Sequence, residues 1–131
     1  MGPMELILRN ESAATARLWA SLDEVADRYG LPGDERFELK LAATEALTNA
    51  LRSSGDAPVH IRIVARPDEI EVEVADRGVL AAGGDVDRDG GRGIPLMLAL
   101  ADEVHFSSTA AGTRVRVRKR VTRAGEDDAA F

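Results

Sequence analysis

The 131-residue sequence contains no cysteine, few aromatic residues and no long apolar run. Without cysteine, the chain has no disulfide framework, no thiolate metal site and no cysteine nucleophile. Aromatic residues make up 4% of the chain and its net charge is −6, which argues against a stacking or phosphate-tracking surface for nucleic acid. No apolar stretch approaches the roughly 20 residues of a membrane-spanning helix. The N-terminus has no basic segment followed by an apolar one, so no signal peptide is predicted and a cytoplasmic location is expected.

The remaining composition is that of an ordinary globular domain, with 44% apolar residues, 31% charged residues, 12 Gly and 5 Pro. A chain of this size can bury a real core as one domain. We predict a folded domain over residues 1–121 and a short acidic, disordered tail over residues 122–131.

The spacing of the apolar residues predicts the element order β-α-α-β-β-loop-α-β-β. Helical spacing predicts helices that end near Tyr29 and near Ser54, and a short helix that starts at Gly93. Strict alternation predicts a hairpin between Val59 and Ala75, and two more strands towards the C-terminus. This order predicts an α+β fold, a two-layer sandwich with the helices on one face of a mostly antiparallel sheet.

The second helix carries Glu45 and Asn49 four residues apart, which makes them neighbours on one face. Its apolar stripe is predicted to centre near Phe37 and Thr48, so both polar residues lie at the edge of the stripe. Carboxylate and amide oxygens suit Mg²⁺ or the positioning of a hydroxyl group. Taken alone, the spacing favours an ordinary solvated pair on the helix surface.

Two polar residues are predicted to face the helix layer. Asp76 has the same parity as Val74 on its strand, and Thr113 has the same parity as Val115 on the last strand. A carboxylate in that position needs a hydrogen-bond donor, and the exocyclic amine of a ligand could supply one. An Asp-x-Gly turn at the strand end would explain Asp76 equally well. Thr113 could contact a buried ligand or simply begin a strand.

The run Gly90-Gly91-Arg92-Gly93 precedes the predicted short helix. Glycines allow the backbone to approach a phosphate closely, and a helix N-terminus offers free N–H groups. Alone, the run is more simply explained as a flexible loop with a glycine cap. Neither the Walker spacing nor the Rossmann spacing is present.

Four motifs occur in one order: Glu-x-x-x-Asn-Ala at 45–50, Asp-x-Gly at 76–78, Gly-x-Gly at 91–93 and Gly-Thr at 112–113. This ordered set resembles the GHKL ATPase superfamily, with its Bergerat ATP-binding fold. Within that superfamily the chain looks most like the anti-sigma-factor serine/threonine protein kinases. The stretch 41–51 resembles their N box, 76–78 their G1 box and 91–97 their G2 box.

The resemblance implies a role for each motif. Asn49 would bind Mg²⁺ at the phosphates of ATP, and Glu45 would be the general base for the attacking hydroxyl. Asp76 would accept a hydrogen bond from the adenine amine with support from Thr113, and the segment 83–93 would be the ATP lid. The nucleotide-binding residues that the resemblance implies are Asn49, Arg52, Asp76, Gly78, Gly91, Arg92, Gly93, Ile94 and Thr113.

The resemblance also implies partners. It implies a kinase that phosphorylates an anti-anti-sigma (STAS-type) protein and holds a sigma factor, with homodimerisation through the first strand. The alternative is a nucleotide-dependent anti-sigma or regulatory module with negligible kinase activity.

Overall fold

The computed structural model describes residues 2–77 and 93–121, except for the side chains of residues 93–95. The order of the elements confirms the predicted β-α-α-β-β-α-β-β sequence. They are β1 (Met4–Leu8), α1 (Ala14–Tyr29), α2 (Gly33–Ser54), β2 (Val59–Ala65), β3 (Glu69–Asp76), α3 (Gly93–Leu100), β4 (Glu103–Thr109) and β5 (Gly112–Arg120). In this part of the chain, no helix has the length and apolar character needed to cross a membrane. The predicted tail over 122–131 lies outside the described residues.

The sheet has five strands in the spatial order β1-β2-β3-β5-β4, and each pairing among them is antiparallel. Alternate residues of β2 and β3, such as Ile61, Ile63, Val72 and Val74, are buried against the helices. Helix α1 contacts β1 and β2, and α2 contacts β2, β3 and β5. This arrangement confirms the predicted α+β sandwich with its helices on one face.

The opposite face of the sheet is covered by charged side chains. Among the outward arginines of β5, Arg114 and Arg116 are exposed. Arg118 Nε lies 3.0 Å from Glu71 Oε1, and Arg114 Nε lies 3.2 Å from Glu73 Oε1. An exposed ion pair such as that between Arg114 and Glu73 contributes roughly 0–1 kcal/mol, so the core on the other face supplies most of the stability.

The two long helices are joined by a polar cluster. The indole Nε1 of Trp19 on α1 donates a hydrogen bond of 2.7 Å to Thr44 Oγ1 on α2. The ammonium of Lys40 lies 4.4 Å from the centre of the Trp19 ring and donates to both carboxylate oxygens of Asp23, each at 3.1 Å. Helix α1 ends at Gly30, whose φ of 71° is readily adopted by glycine. Thus α2 is held from the side as well as from the sheet.

The predicted apolar stripe of α2 is wrong. Phe37 is 54% exposed, and Thr48 is only half-buried. The side chains that are buried are mostly alanines: Leu39, Ala42, Ala43, Ala46, Leu47 and Ala50. Small residues let a helix approach a sheet closely, but they add little to an apolar pattern weighted by side-chain size. Because α2 contacts other helices as well as the sheet, its faces also differ less in hydrophobicity than those of a helix that is buried on one side.

Candidate functional site

Asp76 and Thr113 lie directly opposite each other at the end of the sheet. They are cross-strand partners on β3 and β5, and each is only 7% exposed. Both side chains face the helix layer, which confirms the parity predicted for them. Thr113 Oγ1 also lies 3.5 Å from Ser108 Oγ on β4. A carboxylate and a hydroxyl are therefore buried side by side below the helices.

The glycine that begins β5 allows this pair to form. Gly112 has a φ of 141°, and a Cβ atom at this position would lie 2.1 Å from the carbonyl oxygen of Asp76. Real Cβ atoms essentially never approach another atom so closely. Glycine is required here because the two main chains are in direct contact. Thr113 follows immediately, so the same contact places its side chain beside Asp76.

Helix α2 carries two more polar residues of the predicted site. It contacts β3 and β5, which carry Asp76 and Thr113. Glu45 and Asn49 are both half-buried. Measured from Ala46 on the buried face, Asn49 lies about 60° and Glu45 about 100° around the same side of the helix. Despite the error in the predicted stripe, both residues lie at the edge of the buried face, and Asn49 is the nearer one.

The remaining predicted residues lie at the ends of helices or outside the residues that the structure describes. Arg52 is exposed in the last turn of α2. Gly93 and Ile94 lie in the first turn of α3, which contacts α2. Gly78, Gly91 and Arg92 lie outside the described residues, so their roles stay predictions.

The donor set fits a nucleotide with a bound cation. A buried carboxylate next to a buried hydroxyl offers an acceptor and a donor to the amine and ring nitrogens of a purine. Asn49 and Glu45 offer hard oxygen atoms, and Mg²⁺ commonly combines a few such ligands with phosphate oxygens and water. The arrangement can therefore orient a base at the sheet and a phosphate chain near α2.

Sequence reasoning missed one polar residue in this layer. Lys119 has the same parity as Val117 on β5 and is only 9% exposed, but Thr113 was the only polar residue of this strand predicted to face the helices. The signal was available, because strict alternation from Thr113 points Lys119 towards the helices. The bond between Trp19 and Thr44 had no comparable signal, since it joins residues on different helices.

Residues 8–119 match the family model described as "Histidine kinase-like ATPase domain". The "Serine-protein kinase RsbW" of Bacillus pumilus (strain SAFR-032) is 31% identical over an alignment that covers 90% of this chain and 87% of that protein. The "Serine-protein kinase RsbW" of Bacillus subtilis (strain 168) is 34% identical over an alignment that covers 77% of this chain and 78% of that protein.

Two solved structures share the fold. One contains the RsbU and RsbW domains of a Mycobacterium tuberculosis protein; the TM-score is 0.72 at 17% identity, over 94% of this chain and 33% of that one. The other is the histidine kinase domain of a blue-light-activated histidine kinase from Erythrobacter litoralis; the TM-score is 0.60 at 19% identity, over 83% of this chain and 60% of that one. The chain therefore belongs to the histidine kinase-like ATPase family and, within it, to the anti-sigma-factor serine-protein kinases represented by RsbW.

Proposed function

We propose that this chain transfers the γ-phosphate of ATP to a serine or threonine of an anti-anti-sigma (STAS-type) protein, and that it holds a sigma factor. The observation that carries the proposal is the buried cross-strand pair of Asp76 and Thr113, on two strands that are both contacted by the helix that bears Glu45 and Asn49. The similarity to serine-protein kinases supports the same activity.

Adenine recognition is assigned to the end of the sheet. The Asp76 carboxylate accepts a hydrogen bond from the exocyclic amine, and the Thr113 hydroxyl supports the contact. A base with a carbonyl at that position would place an oxygen acceptor against the Asp76 carboxylate, which can accept but not donate a hydrogen bond, at a cost of roughly 1–3 kcal/mol. This cost favours adenine over a base that carries a carbonyl at the same position.

Phosphoryl transfer is assigned to α2. Asn49 would hold Mg²⁺, which would neutralise charge on the phosphate oxygens. Glu45 accepts the proton of the attacking serine or threonine hydroxyl. The hydroxyl oxygen then bonds to the γ-phosphorus, and the bond between the γ-phosphorus and the β–γ bridging oxygen breaks, so that ADP leaves. Such a reaction relies mostly on positioning and charge neutralisation, and few protein groups suffice for it.

The other predicted residues have supporting roles in the proposal. Gly78 lets the base pack closely, and Gly91, Gly93 and Ile94 present the backbone at the start of α3 to the phosphates. Arg52 and Arg92 supply positive charge. A sigma factor as partner implies action in the cytoplasm. Homodimerisation is proposed to use β1, which is an edge strand of the sheet.

A transfer assay with labelled ATP and a purified STAS-type protein tests the proposal. Glu45→Gln is expected to slow transfer by about 100-fold or more, because it removes a general base. Its affinity for ATP is expected to stay near that of the unmodified chain. Glu24→Gln on α1 is a matched control, since Glu24 is exposed and lies on a different helix. It is expected to keep the normal rate.

Two outcomes would contradict parts of this proposal. If Glu45→Gln transfers phosphate as fast as the unmodified chain, then Glu45 is not the base. If the unmodified chain binds ATP and a sigma factor but labels no STAS-type protein, the chain is a nucleotide-dependent regulatory module without kinase activity.

A further inference from the structure

Lys119 places an ammonium group beside the buried valines on the inner face of β5. The residues on its two sides with the same parity, Val117 and Val121, belong to the hydrophobic core, and its cross-strand partner is the fully buried Ile70. Lys119 itself is only 9% exposed. A buried ammonium is costly unless it is paired, so its partners indicate why it is kept there.

The partners of Lys119 belong to two different helices. Its Nζ donates a hydrogen bond of 2.8 Å to the carbonyl oxygen of Leu100, the last residue of α3. The same atom lies 3.1 Å from Glu38 Oε1 on α2. The positive charge also lies at the C-terminus of α3, where the helix dipole favours a cation. One side chain of the sheet thus joins α2 to the end of α3.

Neighbouring residues of β5 hold the turn that follows α3. The backbone N–H of Asp102 donates to the carbonyl oxygen of Arg118 at 2.9 Å, and the N–H of Arg120 donates to Asp102 Oδ2 at 2.6 Å. Together with Lys119, three consecutive residues of β5 bond to residues 100–102. The C-terminal end of α3 is therefore fixed to the sheet, and Lys119 extends this attachment to α2.

We propose that Lys119 is a positioning residue that sets the placement of α3 against α2 and so completes the nucleotide site. This inference rests on the proposed function, in which α2 carries Asn49 and α3 begins at Gly93. Helix α2 also contacts β2, β3 and β5, so we expect its position on the sheet to persist without Lys119. Loss of the ammonium would therefore disturb the placement of α3 and the binding of ATP, while Glu45 keeps its position for the chemical step.

The test compares Lys119→Met with Lys119→Arg. If the competent arrangement of the helices falls to about one molecule in ten, the Kd and the KM for ATP rise about tenfold in Lys119→Met. The kcat is expected to change less than about threefold, since the general base is unaffected. Lys119→Arg keeps a donor and a charge and is expected to recover most of the affinity. Arg116→Met removes a positive charge from the exposed face of the same strand, and its Kd is expected to stay normal.

A second variant covers the case in which Lys119→Met does not fold. Glu38→Gln removes only the charge of the partner on α2 and keeps an oxygen acceptor. It is expected to raise the Kd for ATP by about threefold, less than the full loss of Lys119. A normal Kd in Glu38→Gln would overturn the link to α2.

Three results distinguish this inference from the proposed function. If Lys119→Met has a lower melting temperature than the unmodified chain but binds ATP normally, Lys119 has only a structural role and the inference is overturned. If kcat falls as much as KM rises, the chemical step is affected and the inference is again overturned. If the unmodified chain binds no ATP, the proposed function fails. In that case, exchange of the backbone amide hydrogens of α3 tests the inference independently of ATP. Faster exchange in Lys119→Met than in Arg116→Met supports the link between the helices, and equal exchange overturns it.

Discussion

The main chain of Gly112 lies against the main chain of Asp76, so closely that a Cβ atom on Gly112 would be 2.1 Å from the Asp76 carbonyl oxygen. This contact joins the start of β5 to the end of β3, where the polar side chains of the site emerge. Thr113 can lie beside Asp76 only if the main chains of the two strands are in contact at Gly112. A single glycine therefore allows the strand pairing that places two residues of the proposed nucleotide site next to each other.

Replacement of Gly112 by alanine is expected to destabilise the fold by at least about 2 kcal/mol, through the clash and the positive φ. Urea unfolding measures this loss. Gly33→Ala is the matched control, because nothing lies within 4 Å of the Cβ position at Gly33. Equal stability of the two variants would contradict the close contact between Gly112 and Asp76.

The hydrogen bond between Trp19 and Thr44 is expected to contribute to the attachment of α1 to α2. Thr44→Val keeps the shape but leaves the indole N–H without its acceptor, at a cost of roughly 1–3 kcal/mol. Thr44→Ser keeps the hydroxyl and is expected to lose much less. Urea unfolding gives the two free energies, and the emission of the single tryptophan reports the change around Trp19. If the valine variant is as stable as the serine variant, the bond contributes nothing.

A pair on the outer face of β4 should make stability depend on pH in the acid range. The hydrogen bond from His105 is the main reason why the pKa of Glu103 lies below its ordinary value of 4.5, and Arg118 lowers it further. A carboxyl whose pKa is lowered by folding stabilises the protein above the unfolded pKa, and that contribution disappears as the pH falls through the folded pKa.

Glu103→Gln is therefore expected to be less stable than the unmodified chain near neutral pH, and about equally stable once the pH has fallen below the lowered pKa of Glu103. Melting temperatures measured across this range check the prediction. Glu24→Gln serves as the control, and its melting curve is expected to run parallel to that of the unmodified chain. A Glu103→Gln difference that stays constant down to the lowest pH would show that the ionisation of Glu103 is not involved.

The sequence predicts the positions of Asp76 and Thr113 well because strand alternation is local. Each residue could be assigned to the inner face from its own neighbours. Their direct pairing could not be predicted, since it depends on β3 lying next to β5, with β4 at the edge. Such pairings join residues far apart in the sequence.

The buried face of α2 was harder to predict than the strands. Most of its buried residues are alanines, whereas Phe37 lies at the surface. A pattern based on large apolar residues therefore pointed to the wrong side of the helix. The spacing of Glu45 and Asn49 was still informative, because neighbours four residues apart share a face wherever the stripe lies. The partners of Lys119 on α2 and α3 depend on tertiary packing and could not be read from the sequence.

The binding of Mg-ATP to the unmodified chain and to Asp76→Asn, measured by calorimetry, tests the nucleotide site most directly. The unmodified chain is expected to bind, and an ATP excess of a hundredfold over Kd should stabilise it by about 2.7 kcal/mol. Asp76→Asn is expected to bind at least about tenfold more weakly, since it loses the charged acceptor. Asp68→Asn, at an exposed turn, should bind normally. No binding to the unmodified chain, or equal binding to the Asp76→Asn variant, would contradict the assignment of Asp76 to adenine.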